Sequence, residues 1–262
     1  GNMAAALIGG LREKGYSAAG IQVIELNAEA RERLTDQFGV RCTDQVDAAA
    51  LNCETLVLAV KPQQMREAVA PFVGKLGAQL VISIAAGLRV TDIARWLGNY
   101  PCIVRTMPNT PALIGAGITG LYAAPEVDAE QRELADKILG AVGSTIWVDQ
   151  EAQVDDVTAI SGSGPAYVFY FIEALEAAAL ELGFDVIAAR KLAIETTLGA
   201  ARLAAHSNEA PGVLRERVTS KGGTTEAALR SLDHDTVRAA IGRAAQAAAA
   251  RGRELGIQLG QD

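Results

Sequence analysis

Residues 218–225 read Val218-Thr219-Ser220-Lys221-Gly222-Gly223-Thr224-Thr225, a run that gathers hydroxyls and backbone donors at the mouth of the helical pattern Glu226-Ala227-Ala228-Leu229-Arg230. Two glycines let the backbone approach a ligand closely. The free N–H groups near Thr224, Thr225 and Glu226 would then face an anion such as a carboxylate. A plain hydroxyl cap on a glycine-containing loop fits the same letters and is worth about 1 kcal/mol to the helix. On this stretch alone both readings stay open.

Other residues with chemical potential sit where strands give way to helices. Gly1-Asn2-Met3-Ala4 opens a helical pattern, and Glu25 closes the next strand pattern, with Asn27 two positions on. In a glycine-rich dinucleotide fingerprint a Gly lets the pyrophosphate reach a helix N-terminus, and an acid some 20 residues later bonds the ribose. Only the tail of such a fingerprint is present, so a preceding strand and its glycines are expected to be missing from this chain. A second apolar strand stops at Ala59-Val60-Lys61-Pro62-Gln63, and a third at Ser83-Ile84-Ala85-Ala86-Gly87. Each loop alone fits an ordinary strand-to-helix connection. Two such loops at strand carboxyl ends favour a bound cofactor.

The elements that must position these residues fall into two halves. Strand patterns at 21–25, 55–60, 80–84, 102–105, 118–122 and 145–148 alternate with helical patterns at 3–14, 28–38, 63–76, 90–97 and 129–142. Such alternation reads as βαβ units around a parallel sheet, an α/β Rossmann-like domain over residues 1–149. From residue 150 to 262 the strand signal stops and the chain reads as an all-α domain. Pro165 suits the first turn of a helix reaching Leu182, Gly183 its end, and Asp185 the cap of a helix running to about His206. Phe169, Ile172, Leu175 and Ala179 give the first of these an apolar face. Its many alanines suggest close packing against a second subunit.

Half of the 262 residues are apolar, enough for a large core, and the formal charge is −7. An acidic balance without a basic tract argues against a nucleic-acid partner. No uninterrupted apolar run reaches the roughly 20 residues of a membrane span, and no secretory signal is visible, so a cytoplasmic location is the default. Cys42, Cys53 and Cys102 lack metal-ligand spacing and read as packed, reduced thiols with no metal. The two histidines, His206 and His234, lie on polar segments, which argues against His acid/base chemistry.

Five motifs together resemble the pyrroline-5-carboxylate reductase family. They are Gly1-Asn2-Met3-Ala4, Ala59-Val60-Lys61-Pro62, Arg105-Thr106-Met107-Pro108-Asn109-Thr110-Pro111, Ser161-Gly162-Ser163-Gly164-Pro165-Ala166-Tyr167 and the 218–225 run, in matching order and separation. The resemblance implies reduction of 1-pyrroline-5-carboxylate to L-proline with NADPH or NADH, and helices that interleave with a partner in a homodimer or a ring of dimers, such as a decamer. It implies that Ala59, Val60, Lys61, Pro62, Ile84, Ala85 and Ala86 contact the dinucleotide, beside Gly1, Asn2, Met3, Ala4, Glu25 and Asn27. It places Glu151 near bound proline, and Gly223, Thr224 and Thr225 around the carboxylate and ring nitrogen, with Thr225 and Glu151 as the catalytic pair. Ser161 and Ser163 are expected in capping and turn roles.

Two further residues depart from the family pattern. Lys221 stands where many members carry Pro, leaving the loop less rigid or adding positive charge for an anion. Glu25 would repel a 2′-phosphate, unless it is simply a solvated acid, so strict NADPH preference is not expected. Two alternatives remain at this level: a reductase of small hydroxy acids using Lys191, and a non-catalytic nucleotide-sensing or assembly protein.

Overall fold

In the computed structural model, which describes residues 1–261, helices and strands alternate as far as Trp147 and the chain is helical thereafter. Helix α1 (Asn2–Glu13) is followed by β1 (Gln22–Ile24), α2 (Ala28–Phe38), β2 (Arg41–Thr43), α3 (Ala48–Leu51) and β3 (Thr55–Leu58). Next come α4 (Met65–Val69), β4 (Leu80–Ser83), α5 (Val90–Trp96), β5 (Ile103–Met107), β6 (Gly117–Ala123), α6 (Ala129–Leu139) and β7 (Gly143–Trp147). The helical part comprises α7 (Ala152–Val157), α8 (Gly164–Glu181), α9 (Val186–His206), α10 (Pro211–Arg217), α11 (Thr224–His234) and α12 (Val237–Leu259).

Local chemistry explains the boundaries. Helix α2 starts where the Asn27 side chain accepts the Ala30 N–H at 2.8 Å, and it stops at Gly39, whose left-handed φ of 69° no β-carbon opposes. Asp185 caps α9 in the same way through the Ala188 N–H. The helix expected over 63–76 is instead broken. Pro71 has no N–H to continue α4, and the chain passes through the 3-10 turn Ala70–Phe72.

Strand β4 is buried at every position and, with β5, forms the centre of the core, where Leu80, Val81, Ile82, Ile103 and Val104 meet Leu121 of β6. The hydrogen-bonded order is β3-β4-β5-β6-β7, while β1 and β2 pair separately and in parallel. Pairs β3–β4, β4–β5 and β6–β7 are parallel, but β5–β6 is antiparallel, which corrects the expectation of a uniformly parallel sheet. The reason is the connection. A parallel pair needs a crossover of about a dozen residues or more, and residues 108–116 hold only the 3-10 turn Thr110–Ile114 before the chain reverses.

The chain packs as two compact units that differ from a division into 1–149 and 150–262. Gly1–Ser163 clusters with the stretch from Ala248 onward, and Gly164–Ala247 forms the other unit. No described helix is long and apolar enough to cross a membrane. The three cysteines are free, but Cys53 is exposed in the turn before β3 rather than packed. Among the described residues, no group of three or more His, Cys, Asp or Glu could hold a metal ion.

Candidate functional site

Parallel pairing brings two of the expected loops to one edge of the sheet. Leu58 of β3 is in register with Ser83 of β4, so residues 59–62 and 84–86 leave adjacent strands at their carboxyl ends. The Ile84 N–H donates to the Leu58 carbonyl at 3.2 Å, tying the loops at their roots. The second loop is fixed further: the Ser83 hydroxyl accepts the Ala85 N–H, and Thr106 Oγ1 donates to the Ser83 carbonyl at 2.9 Å. Ala59, Val60 and Pro62 are half-buried, Ala85 is buried, and Lys61 and Ala86 are exposed. Ala59, Ala85 and Ala86 add no bulk beyond a methyl group at these strand ends. Helix α1, opening at Asn2, has no side-chain cap, so its first-turn N–H groups suit a phosphate. These features fit a dinucleotide.

Glu25 follows β1 and turns back on its own loop, where Oε1 accepts the Asn27 N–H at 3.0 Å. Asn27 spends its side-chain oxygen on the α2 cap. Arg31 Nη1 donates to the carbonyls of Glu25 and Leu26 at 2.7 and 2.8 Å, which stiffens the turn.

Glu151 sits at the start of α7, but its carboxylate is already engaged. Oε1 accepts from the Val90 N–H at 2.7 Å and from Arg105 Nη1 at 3.2 Å. The other arm of the Arg105 guanidinium binds Asp155 Oδ1. Arg105 is 1% exposed and its Nε is buried without a partner. One guanidinium therefore faces two carboxylates, leaving one formal negative charge uncompensated. Sequence reasoning quoted Arg105 only as the head of a motif and missed Asp155. The signals were available: a lone cation inside the apolar strand Ile103-Val104-Arg105, and two acids one helical turn apart.

The two Ser-Gly and Met-Pro-Asn motifs explain each other. Asn109 Nδ2 donates to the Ser161 carbonyl at 3.1 Å, while its oxygen accepts the Ile118 N–H at 2.9 Å. After α7 the chain widens into a π-helical turn, Thr158–Gly162, closed by the Ser163 N–H on the Thr158 carbonyl. Such turns are rare and frequent at functional sites. The turn lies against β5 at Gly162, where a β-carbon would fall 2.7 Å from Met107 Cε, the movable tip of that side chain. Ser161 donates its hydroxyl to the Val157 carbonyl, in keeping with a turn role. Gly120 of β6 likewise clears Val157 of α7.

In the second unit, the 218–225 loop leaves its helix start open. Gly223 is the N-cap of α11 and offers no side chain, so the first-turn N–H groups of Thr224, Thr225 and Glu226 receive no side-chain cap. The hydroxyl-cap reading is thus not what the loop adopts. Gly222 has φ of 73° and donates its N–H to Glu226 Oε2, whose other oxygen pairs with Arg230. Thr219 Oγ1 donates to the Arg215 carbonyl. Thr225 is half-buried, whereas Thr224 and Lys221 are exposed. Glu151 belongs to the first unit and Gly223, Thr224 and Thr225 to the second. His206, His234 and Lys191 are all exposed, in keeping with surface roles for the histidines.

A family profile described as pyrroline-5-carboxylate reductase dimerisation matches residues 151–255, and one described as NADP oxidoreductase, coenzyme F420-dependent, matches residues 1–87. The chain is 45% identical to the pyrroline-5-carboxylate reductase of Pseudomonas aeruginosa over 100% of its own length and 96% of that protein. It is 41% identical to that of Haemophilus influenzae, covering 97% and 94%. Among solved structures, a Coxiella burnetii pyrroline-5-carboxylate reductase superposes with a TM-score of 0.92 at 41% identity, covering 97% and 95%. A Plasmodium falciparum pyrroline carboxylate reductase with NADP bound gives 0.85 at 26%, covering 98% and 95%.

Proposed function

Since the chain belongs to the pyrroline-5-carboxylate reductase family, we propose that it reduces 1-pyrroline-5-carboxylate to L-proline at the expense of NADPH or NADH. The observation that carries this reading is the match along the whole chain to reductases of that name. A bound dinucleotide would supply the hydride for the carbon of the C=N bond, whose ring nitrogen would keep its proton. The protein's part is holding and orienting. Residues 59–62 and 84–86, with the uncapped start of α1, hold the dinucleotide. The N–H groups of Gly223, Thr224 and Thr225 hold the substrate carboxylate, and the Thr225 hydroxyl bonds the ring nitrogen.

Glu151 acts through the cluster it shares with Arg105 and Asp155. The cluster's residual negative charge favours the protonated, electrophilic imine. Mixing full-length protein with NADPH and 1-pyrroline-5-carboxylate should give loss of nicotinamide absorbance and formation of proline. Absence of turnover with either dinucleotide would overturn the assignment.

Two expectations follow at smaller scale. Glu25 puts a carboxylate at the expected ribose edge, and exposed charges a few ångström apart interact by about 1 kcal/mol in water. Glu25→Ala should therefore raise kcat/KM for NADPH relative to NADH by about fivefold, and an unchanged ratio would remove Glu25 from cofactor choice. The second concerns assembly. Phe169, Tyr170 and Phe171 of α8, Leu182 just beyond it and Ile187 at the start of α9 are exposed, large apolar side chains that a second subunit would cover. This protein works as a homodimer, and a ring of dimers is the larger assembly we propose. Light scattering should give a mass of twice the 27.3 kDa protomer or a multiple of it; a monomeric mass would refute the assembly.

A further inference from the structure

Helix α12 runs unbroken from Val237 to Leu259, yet its last turns return to the first unit. They settle on the Ser83–Gly87 loop and on α5. Gly256 is buried, and a β-carbon there would lie 2.8 Å from the Gly87 carbonyl oxygen, closer than real β-carbons come. Gly87 is itself left-handed, with φ of 82°, and Leu259 packs on the core beside it. Arg95 Nη2 donates to the Gly260 carbonyl at 2.8 Å while its guanidinium also pairs with Asp92. Arg253 reaches Asp156, one position beyond Asp155 of the ion-pair cluster, at 3.1 Å.

A glycine inside a helix is normally a weakness, because Ala in its place loses less freedom on folding. At Gly252, one turn earlier, nothing lies within 4 Å of an added β-carbon, whereas at Gly256 the Gly87 carbonyl forbids one. The contact is specific to the loop. We propose that Gly256 is a positioning residue for the nicotinamide dinucleotide: the closing turns of α12 brace the Ser83–Gly87 loop from behind and hold Ile84, Ala85 and Ala86 in the conformation that receives the cofactor. This inference rests on the assignment of those three residues to the dinucleotide.

The two glycines supply the test. Gly256→Ala adds one methyl group that either the helix or the loop must accommodate, and the loop, hinged at Gly87, is the softer partner. Titration of the protein with NADPH, followed by the cofactor's own fluorescence, should give a Kd raised about fivefold, with KM for pyrroline-5-carboxylate at saturating NADPH within twofold of wild type. Gly252→Ala should leave the Kd unchanged. Arg95→Met, which frees the Gly260 carbonyl without adding a clash, should raise the Kd in the same direction by a smaller factor. A Kd for Gly256→Ala equal to wild type, or an equal rise in Gly252→Ala, would overturn the proposal. Failure of the wild-type protein itself to bind NADPH would instead overturn the cofactor assignment beneath it.

Discussion

Arg105→Leu should lower the stability of this protein by about 3–5 kcal/mol, the usual effect of removing one partner from a buried ion pair. Wild type holds that guanidinium 1% exposed between Glu151 and Asp155, whose side chains are 22% and 12% exposed. Without it two carboxylates one helical turn apart remain in a poorly solvated site with no counter-charge. In a chain of this size each kcal/mol corresponds to about 2–4 °C, so the melting temperature should fall by roughly 6–20 °C. Arg105→Lys should fall less far, since it keeps the charge but not the fork that serves two acids at once. Replacing all three residues by apolar ones should recover much of the loss, because the desolvation cost of the charges disappears with them. Wild-type melting in Arg105→Leu would mean that the cluster is energetically idle. If the triple variant melts normally but turns over poorly, the cluster's charge matters to the reaction rather than only to the fold.

The second large effect is kinetic. Thr225→Val keeps the size, the branch and the backbone N–H of the residue and removes only its hydroxyl. If that hydroxyl bonds the ring nitrogen as hydride arrives, kcat/KM should fall 10-fold or more, about 1.4 kcal/mol or greater in barrier. The loss should appear mainly in kcat, because the carboxylate would still meet the uncapped N–H groups of the α11 start. Thr225→Ser should restore most of the activity. Unchanged kinetics in Thr225→Val would take the hydroxyl out of the mechanism, and a loss confined to KM would make it a binding group only.

Particular residues show how far the chain could be read in advance. The strands over 80–84 and 102–105 were legible because a run of apolar residues ending at a turn has few alternatives, and α2 was legible as a helical pattern over 28–38, whose ends the structure puts at Asn27 and Gly39. Strand β2 and helix α3 were not, since three or four residues do not complete a detectable period. The reversal between β5 and β6 left a trace in the short, proline-rich 108–116 stretch, which has no room for a crossover helix. The strand-end loops could be placed because the direction of a parallel strand fixes which end carries them. Arg105 could not be matched to its acids, which lie 46 and 50 residues further on, and such pairings depend on how α7 settles across the sheet. The 218–225 loop shows the division well: its composition announced donors, and the folded backbone revealed that Glu226 takes the Gly222 N–H while the start of α11 has no side-chain cap.

The antiparallel β5–β6 pair also bears on how the sheet comes together. Residues 108–116 form its shortest connection, about half as long as those joining β3 to β4, β4 to β5 and β6 to β7. Each doubling of a loop adds about 0.6 kcal/mol of closure entropy, so this hairpin is the least costly pairing for the unfolded chain to make. Arg105 and Thr106 lie on it, in register with Tyr122 and Leu121. Formed early, this pair would carry the guanidinium before either acid arrives, with β3 and β4 adding to it afterwards.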